Sequence, residues 1–164
     1  MKMKNATIVA ALLAVCCAMH AQVMVKHLQP NQNSPIANGV WVADTLYLSG
    51  QIADPVTPAD AAKGTPAVYG DTKAQAFSVL SKIQTLLRAQ GLDMKDVVKM
   101  TVFLAGDPDK GGKLDFAGLQ ASFTQFFGTK EQPNKPARSA MQVAALVAPG
   151  ALVEIEAIAA KGKQ

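Results

Sequence analysis

The sequence predicts an α+β fold, a single domain in which a mixed β-sheet carries one layer of two helices on one face. Three observations lead there. Two stretches, opening near Thr72 and Asp115, carry apolar residues at helical spacing. Strand-like runs surround them in the order hairpin, helix, strand, helix, strand, strand. A strand, helix, strand unit within one sheet crosses over right-handed, which places both helices on the same side. The opposite sheet face then lacks a helix layer, and this points to burial against another subunit.

The elements follow in order. Met24 to Leu28, MVKHL, alternates and suits a short edge strand, and the Pro-, Asn- and Ser-rich segment Gln29 to Ala37 is loop. GVWVADTLYLSGQI, Gly39 to Ile52, holds two strand-like runs about Ala43-Asp44, a hairpin whose Trp41, Leu46 and Leu48 supply core contacts. Gly50 near the end of the second run is placed to let another group approach the backbone, or to serve as a plain turn glycine. Ala53 to Gly70, with three prolines, is a surface connection. In the first helix Thr72 and Gln75 have capping-box spacing, Phe77, Leu80, Ile83, Gln84 and Leu87 trace one face, and Arg88 with Gly91 closes it. Lys95 to Ala105, KDVVKMTVFLA, has the apolar, β-branched character of a central strand. The loop GDPDKGGK is Gly-rich but lacks the spacing and terminal Lys-Ser/Thr pair of a phosphate-binding loop. Asp115 caps the second helix, with Phe116, Leu119, Phe123 and Phe126 or Phe127 inward and Gly128 as its stop; phenylalanines so spaced point to core.

At 164 residues the chain suits one domain, and 49% hydrophobic with 17% charged residues is a globular composition. Residues 1–21 have the pattern of a secretory signal peptide: Lys2 and Lys4, then an uncharged run from Ala6 to Ala18, then small residues before a cut after Ala21. The expected division is therefore 1–21 signal segment and 22–164 folded domain, with a periplasmic or secreted product and no membrane attachment after cleavage. Cys16 and Cys17, the sole cysteines, leave with that segment, as do two of the 16 basic residues, so that 14 remain against 12 acidic ones. No disulfide frame, thiolate metal site or cysteine nucleophile is then expected. His27 alone supports neither a zinc site nor a histidine-based triad. The near-balanced charge gives no argument for nucleic acid.

The chemistry-bearing groups concentrate in PARSAMQVAALVAPGALVEIEAIAA, Pro136 to Ala160. Arg138 at its start offers a fork of donors matched to a carboxylate or phosphate. Glu154 and Glu156 lie in an apolar strand, where a carboxylate needs a partner or a role. If the last two strands formed a simple hairpin about Ala148 to Ala151, Ala145 would oppose Glu154, and Arg138 would lie about 24 Å further along at 3.4 Å per residue. Either those strands are not neighbours, or the arginine of one chain meets the glutamate of another. A bland alternative is a surface ion pair for Arg138 and a solvated edge for both glutamates.

GVWVADTLYLSGQI, GLDMKDVVKMTVFLA and the C-terminal stretch together resemble the reactive intermediate deaminase family, RidA or YjgF, in order from about Ser34 to Ala160. The resemblance implies a chorismate-mutase-like fold in which the last strand inserts into the sheet, and a homotrimer with ligand sites between subunits. It implies hydrolysis of reactive 2-enamine or 2-imine acids, such as 2-aminoacrylate, to 2-keto acids and ammonia, without metal or cofactor. By position, Arg138 would hold the substrate carboxylate and Glu154 would position the attacking water. Ser49, Gly50 and Ala140 would complete the pocket through their main chain. This sequence departs from the family at Ile36, commonly tyrosine, at Ala140, commonly cysteine, at Gln120, commonly asparagine, and at Phe123, commonly tyrosine. Loss of the tyrosine hydroxyl favours an alternative, a non-catalytic protein that binds small carboxylates or keto acids. Ribonuclease activity, reported for some relatives, lacks a basic patch, an aromatic platform or a histidine pair here.

Overall fold

The computed structural model describes residues 22–162. The targeting segment expected over residues 1–21, with Cys16 and Cys17, lies outside the described residues. One sheet of six strands is formed by β1 (Val25–Leu28), β2 (Gly39–Val42), β3 (Thr45–Ile52), β4 (Val97–Ala105), β5 (Ala137–Val143) and β6 (Val153–Ala160). Helices α1 (Thr72–Arg88) and α2 (Phe116–Phe123) lie on one face, as the sequence predicts.

The strand order is β1-β2-β3-β6-β4-β5. β6 does not return along β5. It inserts between β3 and β4 and runs antiparallel to both, while β5 pairs in parallel with β4 at the edge. Alternation in β6 explains its central place: Val153, Ile155, Ala157 and Ala159 are buried toward the helices, and Glu154, Glu156 and Ile158 face the other way. In β4, Met100, Val102 and Leu104 join this core, whereas Lys99, Thr101 and Phe103 lie on the open face. β4 is therefore two-faced rather than apolar on both sides. It starts at Val97, two residues later than expected, because Asp93 caps a turn of 3₁₀ helix over Met94–Asp96 through reciprocal side-chain bonds.

Three details of the helices correct the sequence expectation. The N-cap of α1 is Asp71, whose carboxylate accepts from the Ala74 N–H at 2.7 Å, since a carboxylate suits the unpaired N–H groups and the positive end of the helix. Thr72 instead donates to buried Asp107 at 3.3 Å. Phe77 is 47% exposed and tilts against Phe126, with centroids 5.4 Å apart; the inward stripe is Ala76, Val79, Leu80, Ile83 and Leu87. Leu119 and Phe123 of α2, with Phe127 just beyond it, reach the core while Phe116 remains half exposed, and the helix ends at Phe123, ahead of Gly128.

Gln75, fully buried, has a structural task that its spacing did not reveal. Its amide nitrogen donates to the carbonyls of Gly70 at 3.0 Å and Gly150 at 3.1 Å, and its oxygen accepts from the Leu152 N–H at 2.7 Å. This clamps the connection that carries the chain from β5 across to the entrance of β6. Gly150, at φ 86°, makes the turn there. Gln75→Leu keeps the volume but leaves buried main-chain groups without partners, and it is expected to destabilise the fold by about 2–3 kcal/mol. A lowered urea midpoint with an unchanged slope, read by circular dichroism, checks this.

Candidate functional site

Arg138 is the second residue of β5. It is in register with Met100, which points toward the helices, so its side chain lies on the helix side of the sheet at the edge. α2 presents Phe116, Gln120 and Phe123 there, spaced i, i+4 and i+7 on one stripe. The guanidinium carbon lies 4.1 Å from the Phe123 ring centroid and 5.6 Å from that of Phe116. Nη2 donates to Gln120 Oε1 at 2.9 Å. Nη1 is buried and has no hydrogen-bond acceptor. No ion pair involves Arg138 among the described residues. Burial lowers its pKa below the usual arginine value, yet an arginine keeps its charge near neutrality. The result is a fixed, partly desolvated cation, stacked on aromatic faces and short of an acceptor. It opens onto a cleft of about 460 Å³.

Glu154 occupies the opposite face of the sheet, in register with Phe103 of β4 and Ile52 of β3. β3 bulges beside it, where pairing shifts from Leu48 with Ala157 to Gln51 with Ile155. The bulge contains Ser49 and Gly50. A Cβ on Gly50 would collide with Glu154 Oε1 and lie 2.9 Å from its Cδ, so the missing side chain is what lets the carboxylate rest over the strand. Burial raises the pKa of Glu154 above its ordinary 4.5, and the like charge of Glu156 raises it further.

Ser49 anchors the neighbouring loop: its Oγ donates to the Ala37 carbonyl at 2.7 Å and its N–H to that of Asn38 at 3.1 Å. In that loop Ile36 is 65% exposed, and its carbonyl accepts from Ser34 Oγ at 2.6 Å. Ala140 is exposed on β5, opposite Val102 and on the side that Arg138 occupies.

The expected site residues thus divide into two groups. Arg138, Gln120 and Ala140 belong to the β5 edge and helix side; Ser49, Gly50 and Glu154 gather at the β3 bulge, with Ile36 tethered nearby. Strand insertion alone does not unite them. Glu154 aligns through Phe103 with Met141, two strands from β5 and three residues beyond Arg138. That is about 14 Å in the plane of the sheet, from strand spacings near 4.8 Å and a rise near 3.3 Å per residue, and the side chains leave opposite faces. Phe116 and Phe123, read from the sequence as core, turn out to form the platform for the guanidinium. The signal available was a polar Gln120 between two phenylalanines at helical spacing. Among the described residues no cluster of His, Cys, Asp and Glu could hold a metal ion, and no helix is long and apolar enough to cross a membrane.

Comparison with known proteins matches residues 22–161 to the family described as Endoribonuclease L-PSP. A RutC family protein of Pyrococcus horikoshii is 35% identical over 80% of this chain and 91% of its own length. The 2-iminobutanoate/2-iminopropanoate deaminase of Capra hircus is 38% identical over 81% of this chain and 85% of that protein. The crystal structure of RidA from an Antarctic Psychrobacter species superposes with a TM-score of 0.58 at 33% identity, covering 80% of this chain and 93% of that one.

The seat of Glu154 yields a prediction. Gly50→Ala displaces the carboxylate toward solvent, so the Glu154 titration followed by carboxyl ¹³C NMR moves down toward 4.5. The accompanying loss of stability shrinks when Glu154→Ala is already present, giving a coupling above about 0.5 kcal/mol in a double-mutant cycle.

Proposed function

Because the chain belongs to the family described as Endoribonuclease L-PSP, the YjgF/RidA family, we propose that it hydrolyses reactive 2-enamine or 2-imine acids of the 2-aminoacrylate type to 2-keto acids and ammonia. The observation that carries this reading is Arg138: half-buried, stacked, with Nη1 lacking an acceptor and no carboxylate of the described chain opposite it. Such a cation suits the carboxylate common to all these substrates and fixes their orientation. Gln120 and Phe123 hold the guanidinium before the ligand arrives.

An imine carbon is already electrophilic, so the remaining need is a placed water and a base. An enamine first tautomerises to the imine; Glu154 then accepts a proton from water as the water oxygen bonds to the imine carbon and the C=N electron pair moves to nitrogen. Glu154 returns that proton to nitrogen, and as the carbinolamine hydroxyl gives its own proton to the departing amine the C–N bond breaks, leaving the 2-keto acid and ammonia. The raised pKa of Glu154 brings its basicity closer to the working pH, which favours such a transfer. Since Arg138 and Glu154 of one chain lie on opposite faces, the base facing a given Arg138 comes from a partner subunit. The edge strand β5 with Met141 exposed, and Tyr47 on the open face, provide surface for a homotrimer with sites between subunits. The same reading includes export: residues 1–21 direct the chain to the periplasm or medium, and the mature protein begins near Gln22.

Ile36 favours a second reading, a keto-acid binder without turnover, because an exposed aliphatic side chain supplies no hydroxyl where the family commonly has tyrosine. One assay separates the two. Imino acids are generated in place by an amino-acid oxidase, and keto acid and ammonia are followed on protein beginning at Gln22. The proposed enzyme exceeds the buffer rate, Arg138→Ala abolishes the excess, and Glu154→Gln lowers it by at least about 100-fold, the scale of a lost general base. Keto-acid binding by calorimetry with no rate above buffer supports the binder.

Glu154 must be ionised to accept a proton, so kcat/KM rises with pH through its raised pKa. Glu156→Gln removes a like charge, and the acid limb then moves to lower pH.

A further inference from the structure

The cleft beside Arg138 has a second cation that the reading above leaves unused. Lys135 lines it together with Gln120, Phe123, Phe127 and Arg138. The approach of that lysine is built by Gly128, which turns the chain after α2 at φ 71°. A Cβ on Gly128 would lie 2.6 Å from Lys135 Cε and 3.6 Å from its Nζ, so the lysine stem crosses over the bare glycine on its way to the cleft. Among the described residues neither Lys135 nor Arg138 has an ion-pair partner, and no aspartate or glutamate lines the cleft. The floor is apolar: the rings of Phe123 and Phe127 stack with centroids 4.7 Å apart.

Two uncompensated cations in one concavity repel each other until anions enter, and a monocarboxylate can satisfy one of them. A volume of about 460 Å³ holds a small metabolite with room at both ends. We propose that the preferred ligands are short 2-imino or 2-oxo dicarboxylic acids, with the carboxylate next to the imine on Arg138, the distal carboxylate on Lys135 and the carbon chain against Phe123 and Phe127. This rests on the imine hydrolase reading for the reaction, but recognition of the second carboxylate is separable from turnover. Lys135 is a specificity residue here and takes no part in bond making.

The test pairs kinetics with binding. Hydrolysis of 2-iminosuccinate, generated from aspartate by an aspartate oxidase, is compared with that of 2-iminobutanoate from 2-aminobutanoate. Calorimetry compares 2-oxoglutarate with 2-oxobutanoate on the same full-length mature protein. The expected result is a preference for the dicarboxylate of at least tenfold in both kcat/KM and Kd, reduced at least tenfold by Lys135→Ala and largely restored by Lys135→Arg. Lys135 is exposed, so these replacements leave the core intact. Equal handling of mono- and dicarboxylates, or a preference that Lys135→Ala leaves in place, overturns the inference while hydrolysis itself stands. A Lys135-dependent preference in binding with no turnover of either imine supports the inference and overturns the hydrolase.

Discussion

Insertion of β6 between β3 and β4 is the constraint on which the rest of this molecule depends. A strand paired on both edges and covered by helices on one face has its register set twice, by two ladders and by the core. That register decides which way every residue of VEIEAIAA points. It sends Val153, Ile155, Ala157 and Ala159 inward and Glu154 outward, next to the glycine that accommodates it. The insertion in turn requires a long crossing from β5, and the buried amide of Gln75 holds the end of that crossing to α1. A polar side chain at the centre of an apolar helix face is costly unless every group is matched, and here each of its bonds goes to main chain that would otherwise be unpaired.

The two charged groups are prepared in opposite ways by ordinary means. Burial disfavours the charged form of each, lowering the affinity of Arg138 for its proton and raising that of Glu154. Arg138 stays charged because its starting pKa is so high; Glu154, starting near 4.5, is moved toward the range in which a base is useful. Aromatic faces and one amide oxygen compensate the guanidinium in part, leaving Nη1 without an acceptor. Within one chain the sheet keeps arginine and glutamate apart, because strand register sets them on opposite faces.

Much of the fold was legible in the sequence because local pattern and global packing agree: the hairpin about Ala43-Asp44, both helices, the β4 run and the placement of two helices on one face. The deviations have specific causes. Phe77 fits the helical period but lies one position around from the stripe in which Ala76 allows close packing. Gln75 has capping-box spacing, yet Asp71 caps the helix and frees that amide for the β6 crossing. Among the phenylalanines, core and guanidinium platform share the same period, and Phe123 serves both.

By itself the sequence determined the α+β class, the residues able to do chemistry, and the impossibility of a hairpin that joins Arg138 to Glu154, because composition, periodicity and chain length are local quantities. The tertiary structure alone decided which strand lies beside which, that the arginine and the glutamate leave opposite faces, that Gly50 seats a carboxylate, and that Lys135 reaches the cleft of Arg138. Those depend on register and on contacts between residues far apart in the chain, where a shift of one position along a strand exchanges its two faces.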